Sequence, residues 1–353
     1  MGKLIFMTAF VSMHSLPAEH FMVFESVLKK NSISTQMIMG GVAKRALGSR
    51  KPDFDMDILT GMEIKEFSNE VAKICECVNI IFVGMGHQFA GHFLEAITRL
   101  YGDTKRVILY YENPEIFVPG GYSELAQAAV SIGKPREIAF ANKNLAKEEI
   151  SVCEGLEGVK KLGLGYYPMH DIEMLKKLRT ERVADEKRSW IYLAGAEINI
   201  DYINKALPSF IKMLSEISFE ENPTTLVFRK HPRSSGSDWK RVEALERPGL
   251  TILLDEDPIL LNTLSAANYA FYYQTSLSPL LVLGGVNPIQ VGHEVYHETL
   301  VDKGVIPVAL NAVELQAILD SPKKEVAEEI VYDAIGYDPL WENRLLAIVQ
   351  GAL

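Results

Sequence analysis

The chain has 353 residues, enough for roughly two domains at ~100–200 residues each. Hydrophobic residues make up 48 % and charged residues 23 %, which excludes the disordered, low-hydrophobicity class. Lys plus Arg is 36 against 46 Asp plus Glu, so a formal charge of −10 excludes the global basic field that draws nucleic-acid polymers; a local basic pocket for a small phosphorylated ligand remains compatible with it.

From the N-terminus, Leu4–Phe10 reads as a first buried strand rather than a secretory leader. Phe6 occupies the position where N-myristoylation wants Ser or Thr. No apolar run reaches the roughly 18–20 residues of a membrane span, which leaves peripheral membrane contact as the remaining membrane reading. Further strands are expected at Thr35–Met39, Val78–Val83, Val107–Tyr111 and Glu137–Phe140. After Val83, the loop Gly84 to Gln88 runs into a helix whose Phe89, Phe93, Leu94, Ile97 and Tyr101 share a face. Cys75, Cys77 and Cys153 are the only cysteines and form no CxxC pair, which argues against a disulfide framework and for a reducing cytoplasm.

A weakly patterned, charged stretch within 163–188 marks the inter-domain connection. A second strand series follows: Trp190–Ala194, Thr225–Phe228, Thr251–Leu254, Tyr269–Tyr273, Pro288–Val291 and Ile306–Ala309. One helical face among them, from Ile203 to Ile217, is interrupted by Pro208, so it is either kinked or two helices. Two successive βα series imply an α/β protein with two doubly wound, Rossmann-like domains, expected to face each other across a cleft, at 1–180 and 189–338. A C-terminal helix, 339–353, packs back on one of them.

Ligands of such sheets lie beyond the carboxyl ends of strands. There the strand Thr225–Phe228 runs into Arg229, Lys230, His231, Pro232 and Arg233, a cationic group suited to phosphate, although loop charges are common in solvent. The strand Tyr269–Tyr273 runs through Gln274 into Thr275, Ser276, Leu277 and Ser278 at a helix start, where hydroxyls either cap free N–H groups or, with them, hold a phosphate.

The His231-Pro232 step and the Thr275-Ser276-Leu277-Ser278 segment about 45 residues further on resemble the two donor motifs of bacterial GT-B glycosyltransferases, most closely sialyltransferases and polysialyltransferases. The resemblance implies that His231 contacts the nucleotide and that Ser276, with Thr275 or Ser278, holds its phosphate. Lys230 and Arg233 would add charge. Those families carry a catalytic carboxylate in an acidic-Asp-Gly motif after a strand of the first domain; Glu112 stands at that place, with Asn113 and Pro114 where the family has Asp and Gly.

His87, in the Gly84–His92 loop, is the rival base, since Gly84 and Gly86 permit close approach of a ligand. His92 is the weaker choice, a helix residue that packing explains. His14 and Ser15 would line the acceptor side. Gly195 either admits a phosphate to the backbone or serves a turn. His293, Glu294 and His297 fit HExxH in spacing, yet follow a strand end and lack a third ligand; no metal is assigned, and Glu294 is read as a partner for ribose hydroxyls.

The expected function is therefore inverting, metal-independent transfer of a sugar, with sialic acid first, from a nucleotide donor to a glycan or glycolipid hydroxyl. No cofactor is required, and CMP is preferred over UDP. The alternatives are an epimerase resembling the non-hydrolysing UDP-N-acetylglucosamine 2-epimerases, which have Ser-Gly-Gly where this chain has Ser276-Leu277-Ser278, and a non-catalytic nucleotide-sugar binding protein.

Overall fold

A computed structural model of the chain describes residues 7–113, 121–147, 154–182, 188–195, 199–231, 234–322 and 326–352. It divides into two units, Met1–Tyr167 with Ile335–Leu353, and Pro168–Ala334. Residues 168–180, which the sequence reading assigned to the first domain as part of the inter-domain connection, fall in the second unit.

In the first unit the strands are β1 (Met7–Ser12), β2 (Ser34–Met39), β3 (Phe54–Asp55), β4 (Ile80–Gly84), β5 (Arg106–Tyr111), β6 (Glu137–Phe140) and β7 (Lys160–Gly163), and the helices α1 (Ser15–Lys30), α2 (Ile64–Ile74), α3 (Phe89–Tyr101) and α4 (Gly121–Gly133). All strand pairs are parallel, in the order β3-β2-β1-β4-β5-β6-β7. A sheet covered on both faces needs strands apolar on both sides. In β4, Ile81 and Val83 join Phe89, Phe93 and Ile97, while Ile80 and Phe82 join Phe21 and Phe24. Each such buried side chain contributes about 1.5–3 kcal/mol.

The second unit contains α5 (Met169–Glu181), β8 (Arg188–Leu193), α6 (Leu207–Glu216), β9 (Thr224–Arg229), α7 (Ser237–Glu243), β10 (Leu250–Leu254), α8 (Leu260–Ala266), β11 (Tyr269–Tyr272), α9 (Ser278–Leu283), β12 (Asn287–Val291), α10 (Thr299–Asp302), β13 (Val308–Ala309), α11 (Ala312–Asp320) and α12 (Glu328–Ala334). Its sheet is also parallel, in the order β10-β9-β8-β11-β12-β13. Helix α5 belongs here because Arg179 donates to the carbonyls of Leu264 and Ala267 and Leu175 fills the space beside Gly284. Pro208 does not break the helix: a π-helical turn at Tyr202–Ala206 leads directly into α6, with the proline in its first turn.

The C-terminal helix α13 (Trp341–Gln350) packs on the first unit, with Trp341 against Phe24 and Tyr166 at ring-centroid distances of 5.8 and 4.7 Å. Two strands have no counterpart in the sequence reading. β3 is two residues long, and β7 begins with two lysines, the polar pattern of a protected edge. Among the described residues, no helix is long and apolar enough to cross a membrane.

Candidate functional site

Both sheets reverse strand order once, between β1 and β4 and between β8 and β11. At such a reversal the flanking connections leave on opposite faces and open a crevice at the carboxyl edge. The sequence-selected residues that are described collect at these two edges.

In the first unit, Ser12 ends β1, its Oγ donating to the carbonyl of His14 at 2.8 Å and accepting the His14 N–H at 3.1 Å. This turn places the His14 ring against Gly86: a Cβ on Gly86 would stand 2.8 Å from the imidazole Cγ, and one on Gly84 would strike Pro17. The two glycines thus bring the loops after β1 and β4 together. Gly84 pairs with Tyr110 on β5, so the segment carrying His87 runs beside that carrying Glu112. The Glu112 side chain is 1 % exposed, and the Asn113 that follows is 8 % exposed; Pro114 lies outside the described residues. Burial chiefly, with the neighbouring Tyr166 and Glu112, raises the Tyr110 phenol well above its usual range. The His87 ring is half-buried, and burial holds its pKa below the usual value. His92 lies on α3, 3.7 Å from Glu95.

In the second unit, strand register places Arg229, Leu193, Tyr272 and Gln290 in one row. Lys230 and His231 therefore leave the same edge as Ala194, Tyr273 and Val291. His231 and Ser276 both follow strands that flank β8, two strand spacings apart, or ~10 Å. Arg233, with Pro232, lies outside the described residues. Arg229 is not free for a ligand: its guanidinium meets Asp255 at 2.6 Å and also donates to the carbonyl of Asp257. The half-buried Lys230 extends over Gly236, where a Cβ would stand 3.3 Å from the ammonium nitrogen.

The three hydroxyls after β11 separate. Thr275 Oγ1 accepts the N–H of Leu277 at 3.2 Å and so holds the turn. Ser276 is exposed. Ser278 is 1 % exposed, and its Oγ has no hydrogen-bond partner among the described residues. Gly195 has a packing reason: a Cβ there would stand 2.7 Å from the Tyr202 ring.

Residues the sequence reading missed hold this edge. Asn199 Nδ2 donates to Gln274 Oε1 at 2.6 Å, across the reversal. Asp238, wholly buried, accepts from Tyr202 at 3.3 Å and Ser234 at 3.1 Å, and the Ser234 N–H donates to the His231 carbonyl at 2.9 Å. Asp238 thus anchors the loop that starts at His231. No local pattern marks Asn199 and Tyr202, because their partners Gln274 and Asp238 are 75 and 36 positions away.

The segment with His293, Glu294 and His297 is irregular rather than helical. His293 lies 3.1 Å from Glu294, and His297 lies 2.8 Å from Asp302 instead. Glu294 is exposed at the end of β12 and accepts from Tyr273 at 3.4 Å. Burial, then the Glu294 and Asp201 carboxylates, pushes the Tyr273 phenol up to about 12. A hollow of about 640 Å³, lined by Lys134, Arg136 and Glu157, sits by the amino ends of β6 and β7, the wrong edge for this chemistry.

No family model and no curated protein sequence matches the chain. Solved structures do match its fold. UDP-GlcNAc 2-epimerase from Methanocaldococcus jannaschii has a TM-score of 0.68 at 14% identity, covering 98% of this chain and 99% of that one. UDP-GlcNAc 2-epimerase from Neisseria meningitidis, solved bound to UDP-GlcNAc, has a TM-score of 0.62 at 12% identity over 98% of each chain. MurG from Acinetobacter baumannii has a TM-score of 0.56 at 13% identity, covering 98% and 99%. The chain has the GT-B-type fold, with two Rossmann-like α/β domains.

Proposed function

We propose that this chain is an enzyme acting on a nucleotide sugar, and that a UDP-linked sugar is its ligand ahead of a CMP-linked one. The observation that carries this reading is the exit of His231 and the exposed Ser276 from one carboxyl edge, on the strands either side of β8, where a phosphate would meet an imidazole, an ammonium group and a hydroxyl. The resemblance pointed to CMP-sialic acid; fold neighbours that are UDP-GlcNAc 2-epimerases, one solved bound to UDP-GlcNAc, shift the order toward UDP and toward isomerisation at the sugar. Sugar transfer is the second reading, favoured by the Ser276-Leu277-Ser278 segment, which lacks the paired glycines of the epimerases. In either reaction His231 supports the nucleotide phosphate, and Glu112 is the candidate base in the first unit. The proposed location is the cytoplasm.

Calorimetric titration with UDP, CMP and CDP tests the ligand class, with UDP expected to bind most tightly. Incubation with UDP-GlcNAc then separates an isomerised product from the slow hydrolysis expected of a transferase without acceptor. His231→Ala should weaken nucleotide binding, while Glu112→Ala should spare binding and abolish turnover. Failure of all three nucleotides to bind would overturn the reading.

A further inference from the structure

The loop between β4 and α3 fixes the proton of one imidazole. His87 Nδ1 accepts the backbone N–H of Phe89 at 3.0 Å, while the His87 N–H donates to the Met85 carbonyl at 2.8 Å and its carbonyl accepts the N–H of Ala90 at 3.0 Å. A backbone amide always carries its proton, so the ring nitrogen facing it must be the acceptor. The neutral ring then carries its hydrogen on Nε2. Protonating Nδ1 as well would set two N–H groups head to head, and burial also disfavours the charged ring. Nε2 has no hydrogen-bond partner among the described residues. The ring stands at the strand reversal of the first sheet, beside the segment that carries Glu112.

We propose that His87 is a fixed neutral donor, presenting Nε2–H to a sugar oxygen of the nucleotide-sugar ligand, and that it is not the base. The ligand half of this inference rests on the nucleotide-sugar reading; the placement of the proton does not. No proton leaves the ring: Nε2–H polarises the oxygen it meets, and the base is left to a carboxylate.

The competing role is a helix cap, since Nδ1 satisfies a free N–H at the start of α3. Ser caps equally well but cannot reach as far as Nε2. Long-range nitrogen–proton correlation spectra of histidine-labelled protein, with the His87 signals assigned by their loss in His87→Ser, should show the Nε2–H tautomer at neutral pH. An Nδ1–H or imidazolium pattern overturns the proton placement. His87→Ser should keep the thermal midpoint of the wild type and its affinity for UDP, but bind UDP-GlcNAc about tenfold more weakly. Unchanged affinity for both means that the ring only caps α3, which overturns the ligand half. If the wild type does not bind UDP-GlcNAc, the functional reading and the ligand half fall together, while the spectra still decide the tautomer.

Discussion

The side-chain amide of Asn199 donates to Oε1 of Gln274 at 2.6 Å, joining the chain that follows β8 to the chain that follows β11. Those strands adjoin at the reversal of the second sheet, so this bond ties the chain after β8 to the loop that carries Ser276. Asn199 Oδ1 also accepts the Tyr202 N–H at 3.1 Å, which fixes the side chain at both ends. Loss of one such bond costs about 1 kcal/mol. Asn199→Ala should therefore weaken UDP binding about fivefold by calorimetry with little change in thermal midpoint. Unaltered affinity would remove this bond from the site.

Arg229 and Asp255 form a partly buried pair; the Asp255 carboxylate is further held by the Asp257 N–H at 3.0 Å and the Thr263 hydroxyl at 2.9 Å. Removing the carboxylate leaves a half-buried guanidinium without its counter-charge. Asp255→Ala should lower stability by about 3 kcal/mol in urea unfolding, and Asp255→Asn by less. A wild-type midpoint for Asp255→Ala would show that water compensates Arg229 fully.

Ser276 and Ser278 should behave oppositely. Ser276→Ala removes an exposed hydroxyl at the proposed phosphate position and should weaken UDP binding several-fold without altering stability. Ser278→Ala removes a buried hydroxyl that lacks a partner among the described residues, so stability should stay constant or rise. Loss of UDP binding in Ser278→Ala alone would reverse the assignment.

His20 gives the molecule a built-in acid sensitivity. Its ring is buried against Tyr166, its Nδ1 is 2.7 Å from the Tyr110 hydroxyl, and burial lowers its pKa to about 3. An unfolded histidine titrates near 6.5, so between about pH 6.5 and 3 the unfolded chain binds the extra proton. The contribution of His20 is thus fully present above about 6.5 and falls as pH drops toward 3. From neutrality to pH 5 the loss should be about 2 kcal/mol. Urea midpoints of His20→Gln should show a flatter acid limb than the wild type; parallel limbs would mean that the ring is hydrated.

Local hydropathy was enough to place most of the strands and the residues at their carboxyl ends. Apolar β-branched runs followed by helical faces are local patterns, and they located the strands from β4 to β6 and from β8 to β12 within one or two residues. They missed β3, which is too short to show a period, and β7, whose lysines belong to an edge. Local pattern also picked out His231, Ser276 and His87, because a polar group just past a strand stands out in one dimension, whereas Glu112 is singled out only by the resemblance to the GT-B transferases. Which of the groups at those strand ends are engaged depends on how the strands are brought together in the fold. Arg229 is neutralised by Asp255, Ser278 is buried, and Gly195 makes room for Tyr202. A hydrogen bond or ion pair depends on distances between strands, and parallel crossovers bring together residues whose separation along the chain carries no trace of their contact.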